Sequence, residues 1–477
     1  MLWAALHFPG FPVQVSERGV RTPGPLAIAT AGARGEVIAC NAEAALAGVR
    51  PGMALSAAWA LAPALAVRPR DEAAEREALQ GVALWAGQFT PTVSLASPCT
   101  VLAEIGGCLR LFGGVSRLLE LIRDGLAGLG YRAAIAIAPA AEGAHLLARA
   151  GLTRPVTDHA ALREALAPLS TALLDCPRET REALLNIGAR SLGECLRLPR
   201  DSFARRFGRE LLQRLDRALG TIPDPRPPFS PPVRHRSALA LPAPAWDAEA
   251  LLFAARRLAL ELAGFLAARE AGVTRLRLEL LHEERKATAL TLGFSLPCRD
   301  PERILALMRE RFAVLELPAR VEGIALAAEE TAGLPRRSLS FLPDAEGAGE
   351  SRAALVERLR ARLGEEAVQG LVPVADARPE LAWARVEPGV RGAAPVPGPR
   401  PAWLLAAPRM LAARDGRPWL DGPLDLLAGP ERIESGWWDG RDVARDYFLA
   451  RDSRGGRFWV FRERRERGGW YLHGVFS

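Results

Sequence analysis

A chain of 477 residues and 51.3 kDa exceeds what one hydrophobic core ordinarily organises, so several domains are expected. Hydrophobic residues at 49% and charged residues at 25% sit at globular averages and exclude wholesale disorder. The net charge of +7 and the pI near 9.6 rest on arginine, Lys286 being the only lysine; this fits a polyanionic partner and equally an arginine-biased composition.

In chain order, residues 1–15 read as a buried strand and 25–40 as strand, turn, strand. Residues 41–47 and 55–61 read as helices, and 71–88 as a longer helix carrying Trp85 on its apolar spacing. Strands at 92–95 and 101–105, a helix at 115–129, an alternating strand at 132–138 and a helix at 142–150 follow. That order predicts an open sheet covered by helices, of the ferredoxin-like kind. Short helices joined by glycine turns occupy 165–222, and Ile222-Pro-Asp-Pro-Arg-Pro-Pro-Phe-Ser-Pro-Pro232 reads as a stiff extended linker. Residues 233–342 give the β-α-β-β-α-β order of a split sheet. Beyond 343 come a helix at 353–363, a Pro/Gly-rich connector at 388–401, and an aromatic meander from 437 to 476.

The six cysteines (Cys40, Cys99, Cys108, Cys176, Cys195, Cys298) include no Cys-x-x-Cys pair and have no histidine at ligand spacing, so free thiols in a reducing compartment are expected and zinc is not. The first residues lack a charged leader region, and the longest apolar stretch, 53–67, is broken by Pro63. Neither a signal peptide nor a membrane span is expected, and the predicted location is cytoplasmic.

Four stretches carry a family resemblance: Met1-Leu-Trp-Ala-Ala-Leu-His-Phe-Pro-Gly-Phe-Pro-Val-Gln-Val15, Trp85-Ala-Gly-Gln-Phe-Thr-Pro91, Ile105-Gly-Gly-Cys-Leu-Arg-Leu-Phe-Gly-Gly114, and Glu431-Arg-Ile-Glu-Ser-Gly-Trp-Trp-Asp-Gly440 with Arg445-Asp-Tyr-Phe448 and Trp470-Tyr-Leu-His-Gly474. Over residues 1–342 the chain resembles the Y-family (translesion) DNA polymerases. With the C-terminal motifs it is similar to ImuB-type proteins, the catalytically degenerate branch found in bacterial inducible mutagenesis cassettes. The resemblance implies an α+β multidomain right hand: palm at 1–15 and 70–164, fingers at 16–69, helical thumb at 165–222, linker at 223–233 and split-sheet little finger at 234–342. A linker and interaction region at 343–402 and a C-terminal aromatic β module at 403–477 complete it.

The chemistry turns on missing carboxylates. Two-metal nucleotidyl transfer holds two divalent ions about 4 Å apart, which repel by on the order of 16 kcal/mol at an effective dielectric near 20. Converging carboxylates must offset that repulsion. Active relatives supply an Asp on the first strand and an Asp-Glu pair after Ser-Ile; here those positions read His7 and Pro9, then Ala96 and Ser97, leaving Glu104 as the one residual acid. The fingers pattern that grips the triphosphate in relatives reads Asn41-Ala42-Glu43-Ala44-Ala45. No catalytic residue, metal or other cofactor is expected.

Binding functions are expected to persist. Arg205, Arg206 and Arg209, with Arg214, form a basic helical stretch, read either as phosphate contacts or as a solvated face. The pairs Arg234/Arg236 and Arg275/Arg277, at strand period two, are candidate DNA-backbone contacts, sequence-independent and salt-sensitive. Ser338, Leu339, Ser340, Phe341 and Leu342 look like a degenerate sliding-clamp peptide, or else a last strand packing home. Trp437, Trp438, Tyr447, Phe448, Trp459 and Trp470 are candidate partner-binding residues, with a β-module core as the plainer reading. The resemblance implies as partners primer-template DNA, the bacterial sliding clamp, an error-prone C-family DNA polymerase and an ImuA-like, RecA-related protein, with no membrane. The expected function is a nucleoid-associated, non-catalytic hub for SOS-type, damage-induced translesion mutagenesis; the alternative is an active, divergent Y-family polymerase.

Overall fold

The computed structural model describes residues 1–18, 23–32, 35–96, 98–334, 345–392, 399–465 and 468–476. The chain forms two compact units, Met1–Arg362 and Leu363–Ser477.

In the first unit, β1 (Trp3–His7) is followed by α1 (Phe11–Glu17). The strand expected over 1–15 therefore ends at residue 7. Gly10 takes φ +60°, a turn conformation costly for other residues, and Pro12 lies in the first helical turn, where its missing N–H is no loss. Next come β2 (Leu26–Ala29), β3 (Val37–Cys40), α2 (Ala42–Leu46), α3 (Leu55–Leu61) and β4 (Ala66–Pro69). The strand β4 has no counterpart in the sequence reading; it pairs in parallel with β2, giving the order β3-β2-β4.

The palm continues with α4 (Glu72–Ala86), whose first N–H groups are capped by the Asp71 carboxylate. Then follow β5 (Val93–Ala96), β6 (Thr100–Glu104), α5 (Val115–Leu129), β7 (Ala134–Ala138) and α6 (Ala141–Arg149). These strands make one antiparallel sheet in the order β5-β6-β1-β7. Strand alternation splits its side chains between two cores. Leu2, Ala4, Leu6 and Phe8 pack with Trp85, Leu118 and Ile122 of α4 and α5, whereas Trp3, Ala5 and Ala136 pack with α6 and the helices that follow.

Those helices are α7 (His159–Leu166), α8 (Arg178–Asn186), α9 (Leu192–Arg197), α10 (Arg200–Phe207) and α11 (Arg209–Leu219). Ser191 and Glu194 close a capping box at the start of α9, and Gly208, at φ +92°, divides α10 from α11. The split sheet comprises β8 (Arg236–Ala245), α12 (Ala248–Ala267), β9 (Ala271–Leu281), β10 (Thr288–Cys298), α13 (Pro301–Ala313) and β11 (Val321–Gly333), in the order β10-β9-β11-β8. The helix α14 (Ala345–Leu363) docks back on it: Glu357 accepts from Arg303 of α13 at 2.7 Å and from the Ser295 N–H at 2.7 Å. This part of the expected linker region is thus packed structure.

In the second unit, β12 (Gly370–Pro373) pairs with β13 (Trp383–Val386). The larger sheet holds β14 (Trp403–Arg414), β15 (Arg417–Trp419), β16 (Asp425–Ser435), β17 (Val443–Arg451), β18 (Arg457–Glu463) and β19 (Trp470–Val475), in the order β15-β14-β19-β18-β17-β16. Among the described residues no helix is long and apolar enough to cross a membrane.

Candidate nucleic-acid and partner interfaces

The palm register sets His7, Thr100 and Ala96 side by side at one end of the sheet: His7 faces Thr100 across β1/β6, and Ala96 faces Thr100 across β5/β6. His7 Nδ1 lies 2.9 Å from Thr100 Oγ1 and 3.8 Å from Cys99 Sγ. Burial, with the positive fields of His145 and Arg149, pushes the imidazole pKa down to about 4, so the ring is neutral at pH 7. Pro9 is exposed in the turn after β1, and its carbonyl accepts from the Gln14 side chain. Ser97 lies outside the described residues.

Glu104 is not at this end. It faces Trp3, four residues from His7 along β1, which puts it roughly 13 Å away at the strand rise. Its Oε1 accepts from the backbone N–H groups of Leu2 (3.0 Å) and Gly106 (3.1 Å). This residual acid caps a turn at the end of the strand away from His7. Among the described residues no group of three or more His, Cys, Asp or Glu side chains is placed to hold a metal ion. In the fingers, Asn41 serves as the N-cap of α2, accepting from the Ala44 N–H at 2.9 Å and donating to the Gly24 carbonyl at 2.9 Å.

The candidate phosphate contacts separate into two kinds. Arg205 and Arg206 close the last turn of α10 and Arg209 opens α11; all three are exposed, and none has a carboxylate within ion-pairing distance among the described residues. Arg214, from the same stretch, is structural, held at 2.7 Å by buried Glu142. On the split sheet Arg236 pairs with Glu279 (3.3 Å), Arg275 with Glu330 (3.1 Å), and Arg277 with Glu279 (2.9 Å) and Glu329 (3.9 Å). Alternation brought these arginines to one face, but β9 itself, through Glu279, and β11, through Glu329 and Glu330, bring matching carboxylates to it. Arg234 precedes β8 and is not a strand residue; it is exposed. The proposed clamp segment, Ser338, Leu339, Ser340, Phe341 and Leu342, lies outside the described residues.

The six aromatic candidates also divide. Tyr447 and Trp459 stack at 4.2 Å in a core with Ile433 and Phe461, and the Tyr447 hydroxyl meets His473 Nδ1 at 2.7 Å and accepts from Arg445 at 3.1 Å. Trp470 lies in the opposite core with Val460 and Leu472, and half-buried Phe448 packs against it. These four are corrected to core residues, because consecutive meander strands stack their rings on each other. Trp437 and Trp438, 81% and 60% exposed, lie in the turn between β16 and β17.

Beneath that turn lies a residue the sequence did not single out. Arg378, 3% exposed, pairs with Asp376 (2.8 Å) and Asp439 (2.8 Å) and lies 5.6 Å from the Trp438 ring. No spacing signal links positions 376–378 to 438–439. The indole pair, at 5.5 Å and 84°, is thus displayed from a turn fixed from below.

A family profile described as "IMS: impB/mucB/samB family" matches residues 6–149. Two curated relatives, each named Protein ImuB and drawn from Caulobacter vibrioides strains NA1000 / CB15N and ATCC 19089 / CIP 103742 / CB 15, are each 30% identical over 465 residues, spanning 90% of this chain and 100% of the relative. Among solved structures, DinB from Sulfolobus solfataricus is 17% identical at a TM-score of 0.41, and an insertion ternary complex of Dbh DNA polymerase is 17% identical at 0.42. Each covers 69% of this chain and 98% of the other. The chain belongs to the ImuB family of Y-family DNA polymerase relatives.

Proposed function

We propose that the chain is a non-catalytic Y-family polymerase homologue that acts as a hub for damage-induced, error-prone translesion synthesis. In this reading it holds primer-template DNA through thumb arginines and docks on the sliding clamp through residues 338–342. It recruits a C-family polymerase that does the synthesis, with an ImuA-like protein as a further partner on the nucleoid. Tethering raises the polymerase's effective concentration at the primer end without any chemistry of its own.

One observation carries this reading. Where paired metal ions would need converging carboxylates, the sheet end presents a neutral, half-buried His7 bonded to Thr100, beside Ala96 and near the cationic Arg149. Among the described residues no group of three or more acidic, histidine or cysteine side chains is placed there to hold a divalent pair. The rival reading, an active divergent polymerase built on Glu104, is disfavoured because that carboxylate is tied to backbone N–H groups at the other end of the strand.

The test is co-purification of full-length protein with purified clamp and C-family polymerase. Leu339→Ala/Phe341→Ala is expected to lose the clamp and keep the polymerase, and Trp437→Ala/Trp438→Ala to do the reverse. Retention of both partners by both variants would refute these docking assignments.

A further inference from the structure

The long helix of the split-sheet domain does not stand clear of the palm. It crosses α4 and α5 at a spacing that only glycines permit. A Cβ on Gly264 of α12 would lie 2.8 Å from the Cα of Trp85, and one on Gly81 of α4 would lie 2.6 Å from Glu261 Oε1. On α5, a Cβ on Gly125 would meet the Trp85 indole at 2.2 Å, and one on Gly128 would meet Leu260 at 3.0 Å. Trp85, 4% exposed, therefore fills the centre of a three-helix crossing.

A buried ion pair lies beside that crossing. Arg18, just past α1, donates to Glu261 Oε2 of α12 at 2.7 Å and to the Leu129 carbonyl at 3.1 Å, and its guanidinium stacks 4.9 Å from the Tyr131 ring. Both charged side chains are almost fully buried. Separating the domains would strand each charge without its partner, a costly outcome for a buried pair. The proline-rich linker is seated as well: the Phe229 N–H donates to the Val93 carbonyl at 2.7 Å, and its ring packs against both the palm and split-sheet cores.

We propose that the split-sheet domain is a fixed part of the palm, latched by the Arg18–Glu261 pair and the glycine-lined crossing, and not an arm that swings on its linker. Binding surfaces on the palm and split sheet then keep a constant separation, and DNA is met there by a preformed surface without a rearrangement of these two domains.

The Cβ positions of Gly87 and Ala268, at the ends of α4 and α12, lie 3.3 Å apart. That is within a few tenths of an ångström of the separation of about 3.5–4.5 Å a disulfide spans. Gly87→Cys/Ala268→Cys in the full chain is expected to cross-link nearly completely under mild oxidation, scored by mass spectrometry of the joined peptides. The oxidised protein is expected to bind primer-template DNA within about twofold of its reduced form. A minor yield of cross-link, or a DNA affinity that falls about tenfold on oxidation and returns on reduction, would overturn the proposal.

Hydrogen exchange on the unmodified protein decides the matter independently of DNA binding and of how the cysteine variant folds. Amides of residues 258–266 are expected to exchange as slowly as those of β1, and faster in Glu261→Ala. Exchange about tenfold faster than β1 in the unmodified protein would mean that the helix lifts away.

Discussion

Glu142→Gln isolates what holds the thumb to the palm. The Glu142 carboxylate, at the start of α6, accepts from Arg214 of α11 at 2.7 Å and from Arg226 of the linker at 2.5 Å, with His145 at 3.7 Å. Its side chain is 3% exposed, against 27% and 19% for the two arginines. Burial alone would raise its pKa, but the neighbouring His145 and the hydrogen bonds from Arg214 and Arg226 outweigh that and hold the carboxyl well below its usual 4.5. Removing one member of a buried pair costs about 3–5 kcal/mol. Here both arginines reach water and each retains a second carboxylate, Asp175 or Asp224, so about 2–3 kcal/mol is expected. That corresponds to roughly a 30- to 150-fold rise in the opening equilibrium of the thumb, read by native-state hydrogen exchange on residues 209–219. The sign with pH follows. A carboxylate with a depressed folded pKa stabilises fully above its unfolded value near 4.5, and that contribution fades as pH falls below it. The glutamine variant should lose this acid sensitivity in α11. Exchange within about threefold of wild type, while the exposed pair control Arg178→Gln behaves the same, would refute the assignment of Glu142 as the clasp.

Two further outcomes are expected. His473 is buried against Tyr447, and desolvation lowers its pKa to about 4, so the unfolded chain takes up the proton first on acidification. Stability of the C-terminal sheet should decline as pH falls from about 6.5 to about 4 and level off below, and His473→Asn should flatten that slope in exchange measurements on β17–β19. For DNA, Arg205→Gln/Arg206→Gln/Arg209→Gln should reduce the salt dependence of affinity by up to about 3 in log–log slope, and Arg275→Gln/Arg277→Gln by less than about 1. The opposite ranking would place the phosphate path on the split sheet despite its carboxylates.

Much of the fold was legible from periodicity: the helix 115–129 and the β-α-β-β-α-β order of the split sheet follow directly from apolar spacing. The helix at 11–17 was hidden because Pro9, Gly10 and Pro12 interrupt an apolar run without showing which way the chain resumes. Strand β4 was hidden because its partner β2 lies some forty residues earlier and pairs in parallel. Sites were harder to read than elements. A strand pattern puts Arg275, Arg277 and Glu279 on one face, but only the three-dimensional register shows Glu329 and Glu330 beside them. The same limit concealed Arg18–Glu261, whose members are 243 positions apart. It also made Tyr447, Trp459 and Trp470 look like interface residues when they are buried in the two cores of the sheet. Absences read better: the identities at 7, 9 and 96 are visible in sequence, and the structure adds how His7 is bonded.

The most direct measurement is primer extension by the purified full-length protein, with Mg²⁺ and separately with Mn²⁺, at enzyme in excess over primer. On the proposed non-catalytic reading no template-directed incorporation is expected, for the wild type or for His7→Asp/Ala96→Asp/Ser97→Glu, with residues 41–45 reading Asn-Ala-Glu-Ala-Ala, whereas adding a C-family polymerase should give extension. Incorporation by the wild-type protein alone that depends on the templating base would contradict the account.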